Sequence, residues 1–229
     1  MQKLTKQLND RFSQMIKNQN EDLPTPPSSL IDFYHRDVEK RLTQCESILE
    51  IGTGLSPIIS DINSFQIREG IDISSVAVNY CKDKYGDEKT FFSVGDYQSF
   101  QQDLQYDLII DGHCFYYLIG EEERLHALEN VAKHLKKDGL FMMEMGINHK
   151  KFSPTLPYHL GNDILYENDQ PVRYCPTSFE IENLLIGTSL KIELFYVYSH
   201  HKMIYDDSRK EATPWDLDIV QVICKKNGR

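Results

Sequence analysis

Residues 47–57 read SILEIGTGLSP, a short apolar run that halts at a glycine turn. Ser47-Ile48-Leu49-Glu50-Ile51 has the nearly continuous apolar character of a strand buried on both faces. The two glycines of Gly52-Thr53-Gly54 let the backbone bend sharply, and they admit a ligand where a Cβ would collide. Downstream, strand and helix patterns alternate. Gln66 to Ile73 is strand-like, and Ser74 to Tyr85 is helix-like, with Ser74 or Ser75 as N-cap. Lys89 to Val94 is a strand closing at Gly95-Asp96, and Tyr106 to Ile110 a strand closing at Asp111-Gly112-His113. The next helix starts at Glu121-Glu122-Glu123 and carries a stripe of Leu125, Leu128, Val131 and Leu135. Lys136 and Lys137 are expected in its last turn, with Gly139 at C′. Leu140 to Met145 follows as a buried strand.

Such alternation implies an α/β fold with a parallel sheet and helices on both faces. Two late strands, Lys191 to Tyr198 and Asp216 to Cys224, have no helical segment between them, so the last strand is expected antiparallel. Thr177 caps a helix that runs through Leu185. Residues 148–176 break the rhythm with four prolines and a glycine and read as an irregular insertion, too short for a domain. Upstream, residues 2–20 form an amphipathic pattern of Leu4, Leu8, Phe12, Met15 and Ile16, stopped by LPTPPSSL at 23–30. A second helical piece, DFYHRDVEKRL, leads into the first strand. The expected organisation is an N-terminal helical lid segment over 1–44 and one domain over 45–229.

The chain has 229 residues, 40% of them apolar and 26% charged, which is ordinary globular usage and excludes a disordered chain. Its apolar runs are far too short to cross a bilayer. No secretory signal is visible, so a cytoplasmic location is expected and no membrane partner. Lys and Arg number 25 against 35 Asp and Glu, a net charge of −10. Polyanion binding needs a cationic surplus that this chain lacks, so no nucleic-acid partner is expected. Five scattered cysteines without a C-x-x-C motif support neither a disulfide framework nor a zinc site. His149, His159, His200 and His201 have no ligand-like spacing, and no metal is expected.

Open parallel sheets bind ligands beyond the carboxyl ends of their strands. Here those ends form a series: the glycine turn after Ile51, then Asp72-Ile73, Asp96-Tyr97 and Asp111-Gly112-His113. A carboxylate about 20 residues past the glycines can accept two hydrogen bonds from a ribose diol. Taken singly, a strand-end aspartate is a turn or N-cap residue more often than a ligand. The series in step is what carries weight.

ILEIGTG, GIDIS, VGD, DLIIDGH and LKKDGLFMME together resemble the motif series of class I S-adenosylmethionine-dependent methyltransferases. The resemblance covers roughly residues 45–226. It implies a Rossmann-like, seven-stranded, mostly parallel sheet with an antiparallel last strand, and S-adenosylmethionine as cofactor with S-adenosylhomocysteine as product. By that resemblance Glu50 helps orient the cofactor's amino group, and Gly52 and Gly54 pass under its methionine portion. Asp72 holds the ribose, Ile73 packs on adenine, Asp96 accepts from the adenine amino group beside Tyr97, and Asp111 and Gly112 line the methionine end. The pattern departs from the family at Ser56, where a third glycine is usual. Pro57 follows as a candidate first residue of a short helix.

His113 lies on the expected substrate side, as a base, as an orienting group, or as a plain backbone hydrogen-bonder. Tyr34 is expected to close over the site from the N-terminal segment. Arg173, in PVRYCP, is either a ligand for an anionic acceptor or a surface ion pair. Phe115-Tyr116-Tyr117 reads as core more than pocket. The leading functional expectation is methyl transfer to a small-molecule acceptor; the alternative is a non-catalytic S-adenosylmethionine-binding or interaction protein. A nicotinamide enzyme is disfavoured, because Pro57 stands where G-x-G-x-x-G/A needs Gly or Ala.

Overall fold

The computed structural model describes residues 2–18, 25–42, 44–101, 104–148, 158–198 and 218–227. The strands in chain order begin with β1 (Ser47–Ile51), β2 (Ile67–Asp72), β3 (Thr90–Val94), β4 (Tyr106–Asp111) and β5 (Leu135–Ile147). They continue with β6 (Tyr158–Gly161), β7 (Ile164–Glu167), β8 (Gln170–Tyr174), β9 (Leu190–Tyr198) and β10 (Asp218–Lys226). The helices are α1 (Gln2–Lys17), α2 (Ser28–Phe33), α3 (Ser75–Tyr85), α4 (Glu121–His134) and α5 (Ser178–Ile186). Seven strands form one sheet in the order β3-β2-β1-β4-β5-β10-β9. The first five run parallel, and β10 inserts antiparallel between β5 and β9. The α/β sheet with an antiparallel last strand is therefore as expected.

Every residue of β1 and of β4 is buried, because both faces of the sheet are covered. Successive side chains alternate between two cores. Leu49, Ile51, Ile109 and Phe141 pack with Leu128 and Val131 of α4 and Ile181 of α5. Ile48, Leu108, Ile110 and Met142 pack on the other face with Leu30 and Phe33 of α2 and Val78 of α3. α2 continues through a π-helical turn (Tyr34–Val38) and a 3-10 turn (Glu39–Arg41) before β1.

Capping follows the sequence. The Ser74 hydroxyl accepts from Ala77 N at 3.2 Å, opening α3. At α5, Thr177 Oγ1 accepts from Glu180 N at 3.3 Å while Glu180 Oε2 accepts from Thr177 N at 2.7 Å. This reciprocal pair satisfies two otherwise unpartnered N–H groups. Thr177→Ala should lower stability by about 1 kcal/mol, a drop of roughly 2–4 °C in thermal unfolding; an unchanged midpoint would show that water caps α5 equally well.

Two expectations are corrected. α4 stops at His134 and passes directly into β5, so Lys136, Lys137 and Gly139 are strand residues, not helix end and C′. Leu135 already pairs with Tyr106, and an irregularity between Tyr106 and Leu108 absorbs the intervening residues. Lys136 Nζ meets Glu46 at 2.6 Å and Asp107 at 3.0 Å, so local acidic side chains engage it in place of the helix dipole. A Cβ on Gly139 would stand 2.6 Å from the Tyr106 carbonyl oxygen. The second correction concerns 148–176, whose described part contains a three-stranded antiparallel meander, β6-β7-β8. Its turns, Asn162-Asp163 and Asn168-Asp169, have positive φ at all four residues, the primed-turn geometry that joins tight hairpins. Residues 149–157 and 199–217, including His149, His200 and His201, lie outside the described residues.

Candidate active site

Parallel register brings the strand ends to one level. Ile51 pairs with Ile71 on one side and Asp111 on the other, and Asp72 pairs with Val94. At the glycine turn Gly52 and Gly54 have φ of +81° and +53°, which L side chains rarely adopt. The N–H groups of Gly52 and Thr53 both donate to Ile71 O, tying the turn to β2. A Cβ on Gly52 would lie 2.3 Å from Cys114 Cβ, whereas one on Gly54 would meet only the Phe12 ring of α1, at 3.9 Å. Pro57 is extended and is followed by a single 3-10 turn (Ile58–Ser60), so it precedes a helical turn and does not open a full helix.

Three carboxylates are buried around this turn. Asp72 accepts from Gly54 N at 2.9 Å and Ser74 N at 2.8 Å, one bond per oxygen. Burial raises its pKa against those two bonds. Glu50 accepts from Ile59 N at 3.1 Å, and burial pushes its carboxyl up to about 8. Asp111 spends both oxygens on the N–H groups of Cys114 and Phe115, each at 2.9 Å, and burial pushes it up to about 6. No lysine or arginine among the described residues pairs with or hydrogen-bonds to Glu50 or Asp72. Asp96 and Ile73 are half-buried, and Asp96 Oδ1 accepts from Gln98 N at 3.0 Å. Gly112 N donates to Ile51 O, and a Cβ there would press within 3.0 Å of Glu50 Oε1.

Across β4 and β5 lies a polar cluster of a different kind. His113 has φ +64°, an uncommon backbone state for a residue with a side chain. Its Nε2 lies 2.9 Å from Oε1 of Glu144, which is fully buried on β5. The same Oε1 accepts from Ser29 Oγ at 2.7 Å, and Oε2 accepts from Gln221 Nε2 of β10 at 2.6 Å. Burial alone would raise the Glu144 pKa, but hydrogen bonds from His113, Gln221 and Ser29 hold it below the ordinary value. Arg36 completes the cluster, donating to Gln221 Oε1 at 2.7 Å and to Asp37, with its guanidinium over the Phe33, Tyr196 and Tyr198 rings. His113 is therefore bonded to a side chain, not to backbone.

Several expected placements change. Tyr34 is not a lid residue: it is buried in the core, and its hydroxyl meets Ser64 Oγ at 3.1 Å, before the amino end of β2. Helical periodicity turns Leu30, Phe33 and Tyr34 inward, so the segment reaches the site through Ser29 and Arg36. Arg173 is not a surface residue: it is buried on β8 with its guanidinium 4.1 Å from the Tyr116 ring centre. The Asp111 carboxylate is fully buried and staples the loop after β4 through both oxygens. Tyr97 packs edge-on to Phe115 inside the core. Phe115 is fully buried, and Tyr116 and Tyr117 are half-buried. A pocket lined by Leu42, Asp107 and Lys136 lies at the other end of the sheet, where Lys136 is already ion-paired. The sequence reading gave no site role to Glu144, Gln221 or Ser29.

The residues around the turn fit the cofactor that the motif resemblance implies. An ionised carboxylate has about four lone-pair sites, and Asp72 uses two on backbone, leaving one on each oxygen for a pair of ribose hydroxyls. Buried carboxylates that meet no lysine or arginine among the described residues suit a ligand that brings an ammonium and a sulfonium. The open side of Gly54 admits a close approach.

Comparison with known proteins agrees. Residues 49–143 match the family described as a methyltransferase domain. The 235L protein of Invertebrate iridescent virus 6, a methyltransferase by name, is 26% identical over 127 residues, 52% of this chain and 47% of the viral protein. The chain thus spans about half the length of that relative. An S-adenosylmethionine-dependent methyltransferase from Clostridium acetobutylicum superposes with a TM-score of 0.67 at 14% identity, over 96% of this chain and 99% of the other. The N-methyltransferase NodS from Bradyrhizobium japonicum, solved with S-adenosylhomocysteine, gives 0.65 at 13% identity, over 96% and 98%. Residues 49–143 thus match a methyltransferase-domain family, and the chain shares the fold of solved S-adenosylmethionine-dependent methyltransferases.

Proposed function

We propose that the protein transfers a methyl group from S-adenosylmethionine to a small-molecule acceptor at the carboxyl edge of the sheet. The observation that carries this reading is the position of the Asp72 lone pairs and the glycine turn on the same strand-end level as His113. When bound, the cofactor supplies a methyl group already activated on a sulfonium, so the protein's task is mainly alignment and exclusion of water. Asp72 would hold the ribose, Asp96 and Ile73 the adenine, and Glu50, Gly52, Gly54 and Gly112 the methionine end. α1 stands over this cleft. Its Asn9 Oδ1 accepts from Ser74 Oγ at 2.6 Å, and Phe12 faces Gly54, yet none of its described side chains is fully buried. It is a lightly held cover. On the acceptor side we place His113, with Ser29 joined to it through Glu144, and the meander whose Arg173 lies over the Tyr116 ring.

A small acceptor suits a net charge of −10, which repels polyanions. All five cysteines are free thiols, which suits the reducing cytoplasm. Asp72→Ala should cut S-adenosylhomocysteine affinity at least tenfold, since a hydrogen bond to a charged group is worth about 1.5–3 kcal/mol. Calorimetry on a variant that unfolds cooperatively checks this, and unchanged affinity would remove the ribose assignment.

A further inference from the structure

We infer that Glu144 is a positioning residue that holds His113 in its Nε2–H tautomer and so offers the Nδ1 lone pair to the proton of the methyl acceptor. The inference rests on the methyl-transfer reading above. It starts from hydrogen-bond logic around one fully buried carboxylate.

Arg36 is a donor only, so the Gln221 oxygen must face it, and the Gln221 NH2 then faces Glu144. Ser29 Oγ donates to the other Glu144 oxygen. An ionised carboxylate can only accept, so the ring nitrogen facing it must carry the hydrogen. Neutral His113 therefore has its lone pair on Nδ1, which makes no hydrogen bond among the described residues. The ring on the turn after β4 is held by Glu144 of β5, and Glu144 in turn is held by donors from β10 and α2. A positive φ at a non-glycine residue persists where the surroundings over-determine it, as they do here.

This arrangement selects a class of acceptor: one whose reacting oxygen or nitrogen still carries a proton. That atom uses its own electron pair to bond the methyl carbon, and the methyl–sulfur pair stays on sulfur. The acceptor's proton passes to Nδ1, leaving an imidazolium that faces the Glu144 carboxylate. The motif after β4 supplies the base, and β5 supplies the group that aims it.

The test is spectroscopic and needs no acceptor. Protein labelled with 15N-histidine is examined near pH 8 by long-range proton–nitrogen correlation, with His113 assigned from His113→Asn. The expected result is a protonated Nε2 and a bare Nδ1. In Glu144→Gln, the Gln221 NH2 claims the new amide oxygen, turning the new NH2 toward His113, so the tautomer should switch to Nδ1–H. An Nδ1–H form in the wild type, an even mixture, or an unchanged Nε2–H form in folded Glu144→Gln would each overturn the inference. If that variant does not fold, the wild-type spectrum decides. S-adenosylhomocysteine titrated into the same sample tests the methyl-transfer reading separately: absence of binding with an Nε2–H ring would sink that reading alone.

Discussion

Gly52→Ala should lose most S-adenosylhomocysteine affinity and unfold roughly 10 °C below the wild type. Two effects add. At φ +81° an alanine costs about 1–2 kcal/mol of backbone strain. Its Cβ would also stand 2.3 Å from Cys114 Cβ and 3.0 Å from Cys114 Sγ, an overpacking worth about 1–3 kcal/mol more. At this chain length each kcal/mol moves the midpoint by about 2–4 °C. Relief tells the two apart. Cys114→Gly in the same chain removes the colliding atoms but not the φ strain, so the pair should show a coupling of at least ~1 kcal/mol. Strict additivity would mean that the turn, not the neighbour, carries the whole cost.

Glu50→Gln should stabilise the protein, and only at high pH. Burial raises the Glu50 pKa from 4.5 to about 8, so the folded chain holds this proton more tightly than the unfolded chain. Below about pH 4.5 both states are protonated and the group makes no difference. As pH rises toward 8 the unfolded chain ionises while the folded chain does not, and stability falls until both are charged. Glutamine escapes this loss while its oxygen can still accept from Ile59 N. A shift of this size at ~1.4 kcal/mol per unit bounds the effect, and about 2–4 kcal/mol is expected near pH 8. Variant and wild type should unfold together at pH 4 and diverge by roughly 5–15 °C at pH 8. A gap that stays constant across that range would show Glu50 ionised throughout.

The parallel sheet was readable because β1 and β4 are short apolar runs, each closed by a glycine-containing turn. The caps at Ser74 and Thr177 were readable because a hydroxyl at a helix start acts within three residues. Lys136, Lys137 and Gly139 misled. Their order is that of a helix end, and only the pairing of Leu135 with Tyr106, 29 positions away in sequence, makes them a strand. The meander was not legible, although Asn162-Asp163 and Asn168-Asp169 are primed-turn pairs, because Gly161 and Pro171 interrupt the alternation of strands only four and five residues long. Glu144 was hidden for another reason. A lone glutamate in an apolar strand acquires meaning only from His113, Ser29 and Gln221, which lie 31, 115 and 77 residues away.

The place of β10 fixes when this molecule can become competent during its own synthesis. β9 is made before β10 but, among the described residues, pairs only with it, at the far edge of the sheet. While residues up to 198 emerge, five parallel strands can assemble, but β9 has no partner and Oε2 of Glu144 has no donor. Pairings between segments this distant in sequence form late, and chains are elongated at only about 5–20 residues per second. On the reading proposed above, the ribosome therefore carries a nascent chain whose glycine turn can form before Glu144 has its Gln221 donor. The hydrogen-bond set around Glu144 closes only when β10 brings in Gln221.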